Sequence, residues 1–506
     1  MLELKNITIE LNVDGRKLID DFNFTLNPKD KAVIIGEEGN GKSTLIKLIY
    51  DEESVSGYCA FNGQIIKNGK MGYLPQSFPD ASLGLSLSRY FADTDIHANP
   101  RVLPSLGLSS DFINSNQIIR TLSGGEKIKI QLAKILTEEP DILLLDEPAN
   151  DIDIETLGWL EGFINGCGKA VLFISHDETL IENTADAIIH IEQLVRKTKN
   201  RITISRVRYA DYAKNKRAAY DKQMQVAKKQ RAEHKAQMER WQQIYNRVEH
   251  EMRAIDKADR DAPGRIMKKK MKAVKSTGKR LEKESEDFLD IPQMEEAILT
   301  QFDPNITLPR GKMILEMDLP ALFTGTKRLT GHVRLAVSGP ERIGIIGRNG
   351  AGKSTLLRAI WNVLKERTDI IAAYMPQDYA EAMDYEMPVI DFLAADKRKE
   401  TVTKVRTYLS AMKFTHEETL GKIASLSGGQ KAKVLYLDMV LKKANVLLLD
   451  EPTRNFSPLS APEIRRTLTA FRGAIISVSH DRKYLGEVCE KVYELTAEGL
   501  ALSHTY

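Results

Sequence analysis

The sequence has few cysteines and no long apolar run. Its three cysteines, Cys59, Cys167 and Cys489, lie far apart in a chain of 506 residues, with neither paired nor metal-binding spacing. This spacing excludes a disulfide framework and indicates a reducing compartment. No apolar run reaches the roughly 18 residues of a membrane-spanning helix, and the opening MLELKNITIE lacks the basic-then-apolar order of a secretory signal. We therefore expect a cytoplasmic protein of two or three domains.

Acidic residues are absent from residues 262–280, which contain eight lysines and arginines. The overall net charge of +3 hides this asymmetry. Residues 214–283 hold 22 basic and 9 acidic side chains, whereas the rest of the chain holds 51 and 61. A charged run is most often only a solvated surface, but this excess is larger than solubility requires. The distribution therefore predicts a polyanionic partner.

Five motifs occur twice in the same order. In the first copy they are GEEGNGKST from Gly36, YLPQS from Tyr73, LSGGEKIKI from Leu122, ILLLDEPAN from Ile142 and FISHDETL from Phe173. In the second copy they return as GRNGAGKST from Gly347, YMPQD from Tyr374, LSGGQKAKV from Leu426, VLLLDEPTR from Val446 and SVSHDRKY from Ser477. The repetition predicts two copies of one α/β domain separated by a linker.

The first motif of each copy has the sequence context of a phosphate-binding loop. An apolar strand, KAVIIG or ERIGIIG, runs into a glycine-rich turn and then a helix, KSTLIKLIY or KSTLLRAIW. The glycines let backbone N–H groups converge on phosphate oxygens at a helix N-terminus. The lysine then adds positive charge at the β- and γ-phosphates of ATP, and the serine offers a hydroxyl to Mg²⁺. The candidate nucleotide-binding residues are Gly36, Gly39, Asn40, Gly41, Lys42, Ser43 and Thr44 in the first copy, and Gly347, Gly350, Ala351, Gly352, Lys353, Ser354 and Thr355 in the second.

Two acidic residues end a buried strand in each copy. The runs DILLLD and NVLLLD end in Asp146 and Asp450, which we predict to bind Mg²⁺. Glu147 and Glu451 follow at once and are candidates to activate or orient the attacking water. The alternative is that these acids only cap the next turn.

A histidine follows a further apolar strand in each copy, His176 in the first and His480 in the second. A lone histidine is more often a surface or core residue. The matched positions favour a catalytic contact with the γ-phosphate.

The linker between the copies has the composition of a long helix. Residues 209–262 contain no glycine and no proline, which predicts a helix of roughly 70–80 Å. Apolar side chains recur at alternating steps of three and four on both sides of Pro263 and Gly264. These positions are Met238, Trp241, Tyr245, Val248, Met252 and Ile255, and then Met267, Met271, Val274, Gly278, Leu281, Ser285 and Phe288. The pattern predicts an antiparallel coiled-coil hairpin with its tip near residues 256–265.

The packing of this hairpin is expected to leave its basic side chains exposed to solvent. Contacts with phosphates give affinity without reading sequence, which is how proteins bind structured RNA by shape. The candidate RNA-binding residues are Arg260, Arg265, Lys268, Lys269, Lys270, Lys272, Lys275 and Lys279.

The LSGGE and LSGGQ motifs, with the glutamine and histidine motifs, resemble the signature of ABC-type ATPase domains over residues 1 to about 200 and about 310 to 506. In that family two domains pair head to tail, and each ATP lies between the phosphate loop of one and the signature of the other. The resemblance implies a first site of Lys42, Gln76, Asp146, Glu147 and His176 with Ser427, Gly428 and Gly429. It implies a second site of Lys353, Gln377, Asp450, Glu451 and His480 with Ser123, Gly124 and Gly125, and it makes Gln76 and Gln377 further Mg²⁺ ligands.

The chain departs from that family pattern at three places. Asp153 keeps the position of the family's D-loop acid, whereas Ser457 stands there in the second copy. Glu37 and Glu38 lie in the first phosphate loop, where we expect their side chains to point away from the nucleotide. No aromatic residue upstream of either loop is assigned to stack on adenine. The first departure indicates that the two sites are unequal.

Tandem ABC domains joined by a basic hairpin resemble the ABC-F proteins, which bind the ribosome. This resemblance implies domains at residues 1–205 and 306–506, a linker at 206–305, and a monomer whose two domains pair. It implies partners in large-subunit rRNA and the P-site tRNA, with the hairpin directed toward the peptidyl-transferase centre. The stretches DEPTRNFSPLS and GAIISVSHDRKYL resemble resistance members of Gram-positive bacteria, which displace ribosome-targeting antibiotics.

Three other functions remain open on the sequence. A housekeeping ABC-F translation factor would carry the same motifs. An ATPase subunit of a transporter would share the ATP sites but gives no reason for a basic hairpin between the copies. A DNA-maintenance ATPase with coiled coils would carry far longer helices than these.

Overall fold

The computed structural model describes residues 1–96, 99–194, 199–255, 263–284, 288, 292 and 301–503. The chain divides into two compact units. One unit contains Met1–Tyr209 and Glu295–Tyr506, and the other contains Ala210–Met294. The first unit holds both copies of the repeated domain, and the second holds the linker.

Each copy is built of strands and short helices in the predicted alternation. In the first copy the strands are β1 Leu2–Leu11, β2 Lys17–Leu26, β3 Lys31–Ile35, β4 Cys59–Lys67, β5 Met71–Leu74, β6 Ile142–Asp146, β7 Ala170–Ile174, β8 Ala187–Leu194 and β9 Lys199–Ser205. Its helices are α1 Lys42–Tyr50, α2 Glu53–Ser56, α3 Leu87–Tyr90, α4 Val102–Ser105, α5 Ser110–Ile113, α6 Gly124–Thr137, α7 Ile154–Gly166 and α8 Glu178–Thr184.

The linker forms two helices, and the second copy follows them. The linker helices are α9 Tyr209–Ile255 and α10 Pro263–Glu284. The strands of the second copy are β10 Met313–Leu319, β11 Leu322–Thr324, β12 Lys327–Thr330, β13 Val333–Ser338, β14 Arg342–Ile346, β15 Ala372–Met375, β16 Val446–Asp450, β17 Ala474–Val478, β18 Lys491–Leu495 and β19 Leu500–Leu502. Its helices are α11 Lys353–Leu364, α12 Val389–Leu393, α13 Lys399–Ala411, α14 His416–Leu420, α15 Gly428–Leu441, α16 Ala461–Thr469 and α17 Arg482–Val488.

A six-stranded sheet lies at the centre of each copy. The strand order is β5-β6-β7-β3-β8-β9 in the first copy and β15-β16-β17-β14-β18-β19 in the second. The last strand of each sheet runs antiparallel and the others run parallel. Because parallel strands end at the same edge, the loops after β3, β6 and β7 meet there, as do their counterparts in the second copy. This edge receives the phosphate loop, the acidic pair and the histidine of each copy.

Burial on both faces explains why the central strands read as continuous apolar runs. Every residue of β3, β6 and β7 is buried, as is every residue of β16 and β17. In the first copy, the antiparallel sheet β2-β1-β4 covers one face and packs its apolar side chains into the same core as α1. This packing on both faces fixes where the loops of the site edge begin.

The linker is a helical hairpin, which confirms the predicted architecture. Trp241 Nε1 donates a hydrogen bond to the carbonyl oxygen of Val274 over 2.8 Å, and His234 Nε2 lies 3.0 Å from the carbonyl oxygen of Leu281. As the residue number rises along α9 it falls along α10, so the two helices run antiparallel. Gly278 faces Trp241 so closely that a Cβ there would lie 2.6 Å from the indole ring. In the predicted seam, the large side chain of Trp241 therefore packs against Gly278, which has no side chain.

The hairpin tip differs in part from its prediction. Helix α10 begins at Pro263, which the sequence placed in the turn. Proline is well accommodated in a first helical turn, because the N–H that it lacks has no partner there. Residues 256–262 of the predicted tip, with Arg260, lie outside the described residues, whereas Gly264 and Arg265 belong to α10.

Candidate active site

The two phosphate loops adopt the same curled conformation. Gly36 and Gly347 both have φ of 147°, in the region that favours glycine. A Cβ at Gly36 would lie 2.2 Å from the carbonyl oxygen of Ile191, so this position accepts only glycine. Lys42 Nζ donates to the carbonyl oxygens of Gly36 and Glu37 over 2.8 and 2.9 Å. Each loop thus curls around its lysine at the start of a helix, which is a geometry suited to phosphate.

The second loop repeats these contacts. Lys353 Nζ donates to the carbonyl oxygens of Gly347 and Arg348 over 2.7 and 3.0 Å. Burial lowers the pKa of Lys353, and the nearby Glu451, Asp153 and Asp450 oppose that shift. The predicted loop residues thus surround one lysine in each copy.

The strand-end acids lie beside the loop serines. Ser43 Oγ donates to Asp146 Oδ1 over 2.9 Å, and Ser354 hydrogen-bonds to Asp450. Asp450 Oδ2 is buried without a hydrogen-bond partner among the described residues. A buried carboxylate oxygen without a donor, next to a hydroxyl, suits a hard cation. The residues therefore fit the Mg²⁺ that the sequence predicts.

The glutamate that follows has different surroundings in the two copies. In the first, Glu147 Oε2 accepts from Gln76 Nε2 over 3.0 Å and also from Asn150, while His176 Nε2 lies 3.5 Å from Glu147 Oε1. Burial would raise the pKa of Glu147, but the hydrogen bond and charge of His176, with Lys42, lower it to about 2. Glu147 is therefore held as a carboxylate.

In the second copy the corresponding glutamate lacks such donors. Glu451 Oε2 accepts only the backbone N–H of His480, over 3.3 Å, and Glu451 Oε1 has no hydrogen-bond partner among the described residues. Burial and the neighbouring Asp450 raise the pKa of Glu451 to about 8. Burial and Lys353 lower the pKa of His480 to about 3. The two predicted catalytic pairs are therefore electrostatically unlike.

The signature motifs begin helices α6 and α15. Ser123 and Ser427 cap these helices, and each forms a reciprocal capping box, with Glu126 and Gln430 respectively. The first turn of each helix therefore presents backbone N–H groups beside Gly124 and Gly125, or Gly428 and Gly429.

The phosphate loop of each copy faces the other copy, as the predicted head-to-tail pairing requires. Asn349 Nδ2 in the second phosphate loop donates to the carbonyl oxygen of Asp151 over 2.5 Å, and Arg454 Nη2 lies 2.8 Å from Asp151 Oδ1. In the first site, the Gly429 N–H donates to Glu38 Oε2 over 3.0 Å. His176 Nδ1 also lies 2.9 Å from the carbonyl oxygen of Phe456 in the second copy.

A cleft of about 1190 Å³ lies along the boundary between the two copies of the domain. Its walls include the following predicted residues of the second site: Gly350, Gly352, Lys353, Ser354, Thr355, Gln377, Asp450, Glu451 and His480, with Ser123 and Gly124 of the opposite copy. Gln76, Glu147 and His176 of the first site also line it. The structure thus brings the predicted second site together around one space large enough for a nucleotide.

One wall of this cleft was not predicted from the sequence. Thr324, Lys327 and Leu329, from the short hairpin β11–β12, line it beside the second phosphate loop. Leu329 also lies against Gly352, and Leu18 lies against Gly41 in the first copy. None of these three residues is aromatic and no motif marks their positions, so the sequence carries no signal for this wall.

The D-loop positions behave differently in the two copies. Asp153 caps α7 by accepting the Thr156 N–H over 2.9 Å. Ser457 instead donates its hydroxyl to Glu37 Oε1 of the first copy, over 3.0 Å. The Glu37 and Glu38 side chains both enter the boundary with the second copy, and Glu38 reaches Gly429 of the second signature instead of pointing away from the nucleotide position as expected.

Comparison with known proteins agrees with this geometry. The family model described as "ABC transporter" matches residues 19–150 and 330–454, which together are half of the chain. The "ATP-binding protein Uup" of Buchnera aphidicola is 26% identical over 98% of this chain and 80% of its own length. "ABC transporter F family member 2" of Arabidopsis thaliana is 25% identical over 99% of this chain and 77% of its own.

A solved structure shows the same fold. The archaeal ribosome recycling factor aABCE1, in complex with the ribosomal stalk protein aP1, superposes with a TM-score of 0.59. The superposition covers 98% of this chain and 89% of the aABCE1 chain, and the two sequences are 16% identical.

The chain belongs to the ABC transporter family and carries two of its ATP-binding domains in one polypeptide. It is an ATPase, since domains of this kind bind and hydrolyse ATP, generally with Mg²⁺. Across the described helices, none combines the length and apolarity that crossing a membrane requires.

Proposed function

We propose that this chain is a ribosome-binding ATPase of the ABC-F type, whose basic hairpin contacts rRNA and P-site tRNA. The observation that carries the proposal is the surface of α10. Met267, Met271, Gly278 and Leu281 are buried, whereas the predicted RNA-binding side chains of this helix are exposed: Arg265, Lys268, Lys269, Lys270, Lys272, Lys275 and Lys279. The helix thus combines a packed face with a continuous cationic one. Similarity over 99% of this chain to an F family member supports the same assignment.

The proposed cycle uses both ATP sites. ATP joins the phosphate loop of one copy to the signature of the other, and the closed form binds the ribosome. Glu147 and Glu451 accept a proton from, or orient, the attacking water, and His176 and His480 contact the γ-phosphate. Bound Mg²⁺ would neutralise charge on the phosphates, held by Ser43, Gln76 and Asp146 or by Ser354, Gln377 and Asp450. Hydrolysis then releases the ribosome.

Removing charge from the hairpin tests the RNA contact. We expect Lys268, Lys269, Lys270, Lys272 and Lys275, all changed to Gln, to weaken ribosome binding in ATP by at least about tenfold. The slope of log affinity against log salt should also fall by about 1 for each lysine that contacts a phosphate. Filter binding to purified ribosomes over a salt series measures both quantities. ATP affinity should not change, because these lysines belong to the linker.

The chain offers a matched control for the same loss of charge. Five exposed lysines among residues 209–235 of α9 can be changed to Gln instead: Lys214, Lys222, Lys228, Lys229 and Lys235. The proposal expects a smaller loss here, because these residues lie far along the hairpin from its tip. Equal losses in the two variants would show non-specific attraction, and unchanged binding by the first would refute the RNA contact.

We further propose that the chain protects ribosomes from antibiotics, which the match of DEPTRNFSPLS to resistance members supports. A sensitive bacterium that expresses the chain should then show a raised inhibitory concentration for at least one ribosome-targeting drug, whereas one expressing Glu147→Gln with Glu451→Gln should not. If no drug in the panel distinguishes them while ribosome binding persists, a housekeeping translation factor is the correct subtype. Co-purification with membranes instead would favour a transporter subunit.

A further inference from the structure

The two phosphate loops differ at two equivalent positions. Glu37 and Glu38 in the first loop correspond to Arg348 and Asn349 in the second. Arg348 reaches Glu155 of the first copy over 3.1 Å, and 79% of its side chain is exposed. This pair lies at the protein surface and leaves the second site open.

The acid pair of the first loop lies inside the boundary instead. Only 13% of the Glu37 side chain is exposed. Glu37 Oε1 accepts hydrogen bonds from Ser457 Oγ and Ser460 Oγ over 3.0 and 2.6 Å, and Glu37 Oε2 lies 4.0 Å from Lys433 Nζ. Burial would raise the pKa of Glu37, but Lys433 and the two hydroxyls lower it, so the side chain stays charged. These contacts fix the loop against the second copy.

Glu38 extends from that fixed loop to the second signature. Its Oε2 accepts the Gly429 N–H over 3.0 Å. A Cβ on Gly428 would lie 3.0 and 3.1 Å from Glu38 Oε2 and Oε1, so both oxygens lie over the first turn of α15. Backbone N–H groups at a helix N-terminus bind anions. The carboxylate therefore takes the place of a terminal phosphate oxygen of a nucleotide held between this loop and this signature.

The second site carries no such anion. Asn349, at the position equivalent to Glu38, is an uncharged amide, and it donates to the carbonyl oxygen of Asp151. The cleft along the boundary is lined by the second phosphate loop and the first signature. The first signature is thus accessible where the second is engaged by Glu38.

We infer that Glu38 is an internal competitor for nucleotide, which makes the first site bind ATP more weakly than the second. ATP that enters the first site must displace the carboxylate from Gly429, and it brings further negative charge beside Glu38. Glu37 keeps the competitor in place through its contacts with the second copy. The inference concerns ATP binding alone and does not depend on the ribosome.

A reciprocal exchange tests it. Glu38→Asn gives the first loop the residue of the second, and Asn349→Glu does the opposite. Each site is read separately in the full chain, the first in a Lys353→Ala background and the second in a Lys42→Ala background. The probe is a fluorescent, non-hydrolysable ATP analogue with Mg²⁺, titrated to equilibrium. Binding is measured directly, so hydrolysis plays no part in the readout.

We expect Glu38→Asn to lower the Kd of the first site by about tenfold and Asn349→Glu to raise that of the second by a similar factor. Glu38→Gln, which keeps the size of the side chain and removes its charge, should act like Glu38→Asn. The difference between Glu38→Gln and wild type should shrink as salt rises, which a steric role would not cause. If both Glu38 variants bind within twofold of wild type, or more weakly, Glu38 does not compete with nucleotide.

Discussion

A variant with Glu147→Gln and Glu451→Gln is expected to remain on ribosomes in the presence of ATP. Glutamine keeps the shape of each side chain but cannot accept a proton from the attacking water. Loss of a positioned general base slows a reaction by about 10²–10⁴-fold. The closed state should therefore persist after ATP binds. Sedimentation of the protein with ribosomes through a sucrose gradient, with ATP or with ADP, measures this effect.

The local contacts allow the substitution in the first site. Glu147 Oε2 accepts hydrogen bonds from Gln76 and Asn150, and the carbonyl oxygen of a glutamine can accept them equally. Adding Lys42→Ala and Lys353→Ala should abolish the trapped complex, because each lysine is predicted to bind the phosphates. A double glutamine variant that sediments free of ribosomes in ATP would disprove the proposed cycle.

The two single variants should not be equivalent. Glu147 is held ionised by His176 and Lys42, whereas burial beside Asp450 raises the pKa of Glu451 to about 8. The first site also contains the Glu38 carboxylate at its signature. We therefore expect one single variant to account for most of the trapping, and the same gradients will show which one.

Local sequence patterns were sufficient to predict the fold and to predict which strand-end residues of each copy lie together. The phosphate loop, the acidic pair and the histidine each follow a parallel strand, and parallel strands end at a common edge. The period of the linker likewise predicted the contact of Trp241 with α10, because helical side chains recur on one face at fixed steps. These features could be predicted because each depends on residues close together in the sequence or on a regular helical repeat.

Contacts between the copies could not be predicted in this way. Glu37 meets Ser457 and Ser460 across more than four hundred residues, and no periodicity links them. Their match depends on how the two copies approach, which no local motif specifies. The same holds for Leu329 and Lys327, which reach the cleft from a short hairpin of the second copy.

A buried ion cluster between the copies is a further contact that the sequence did not predict. Arg465 on α16 donates to Glu178 on α8 of the first copy, with Nη1 and Oε1 2.5 Å apart. The Arg465 and Glu178 side chains are only 4% and 6% exposed. Arg465 Nε also donates to Glu487 over 2.8 Å, and Lys483 Nζ reaches Glu178 and Glu182 over 3.2 and 2.6 Å. Three helices, α8 from the first copy and α16 and α17 from the second, thus converge on these charges.

Removing the arginine should be strongly destabilising. We expect Arg465→Met to lower the free energy of unfolding by about 3–5 kcal/mol, because it leaves the Glu178 carboxylate buried with fewer donors. Urea denaturation of the full chain measures the change. Arg466→Met is the matched control, since Arg466 pairs with Glu463 at the surface with 62% of its side chain exposed. An exposed pair of this kind contributes about 0–1 kcal/mol.

A second substitution separates a lost attraction from an uncompensated charge. If the cost of Arg465→Met is mainly the unpaired carboxylate, then Glu178→Met in the same chain should restore most of the stability, since apolar residues of similar volume often replace a buried ion pair without loss. Lys483 remains partly exposed and keeps Glu182 as a partner, so it does not become a buried unpaired cation. Equal destabilisation by Arg465→Met and Arg466→Met would show that the cluster does not hold the copies together, whereas no recovery in the double variant would show that the cost of Arg465→Met is the lost attraction. Recovery would show that the two ATPase domains share an interface that nucleotide does not have to create.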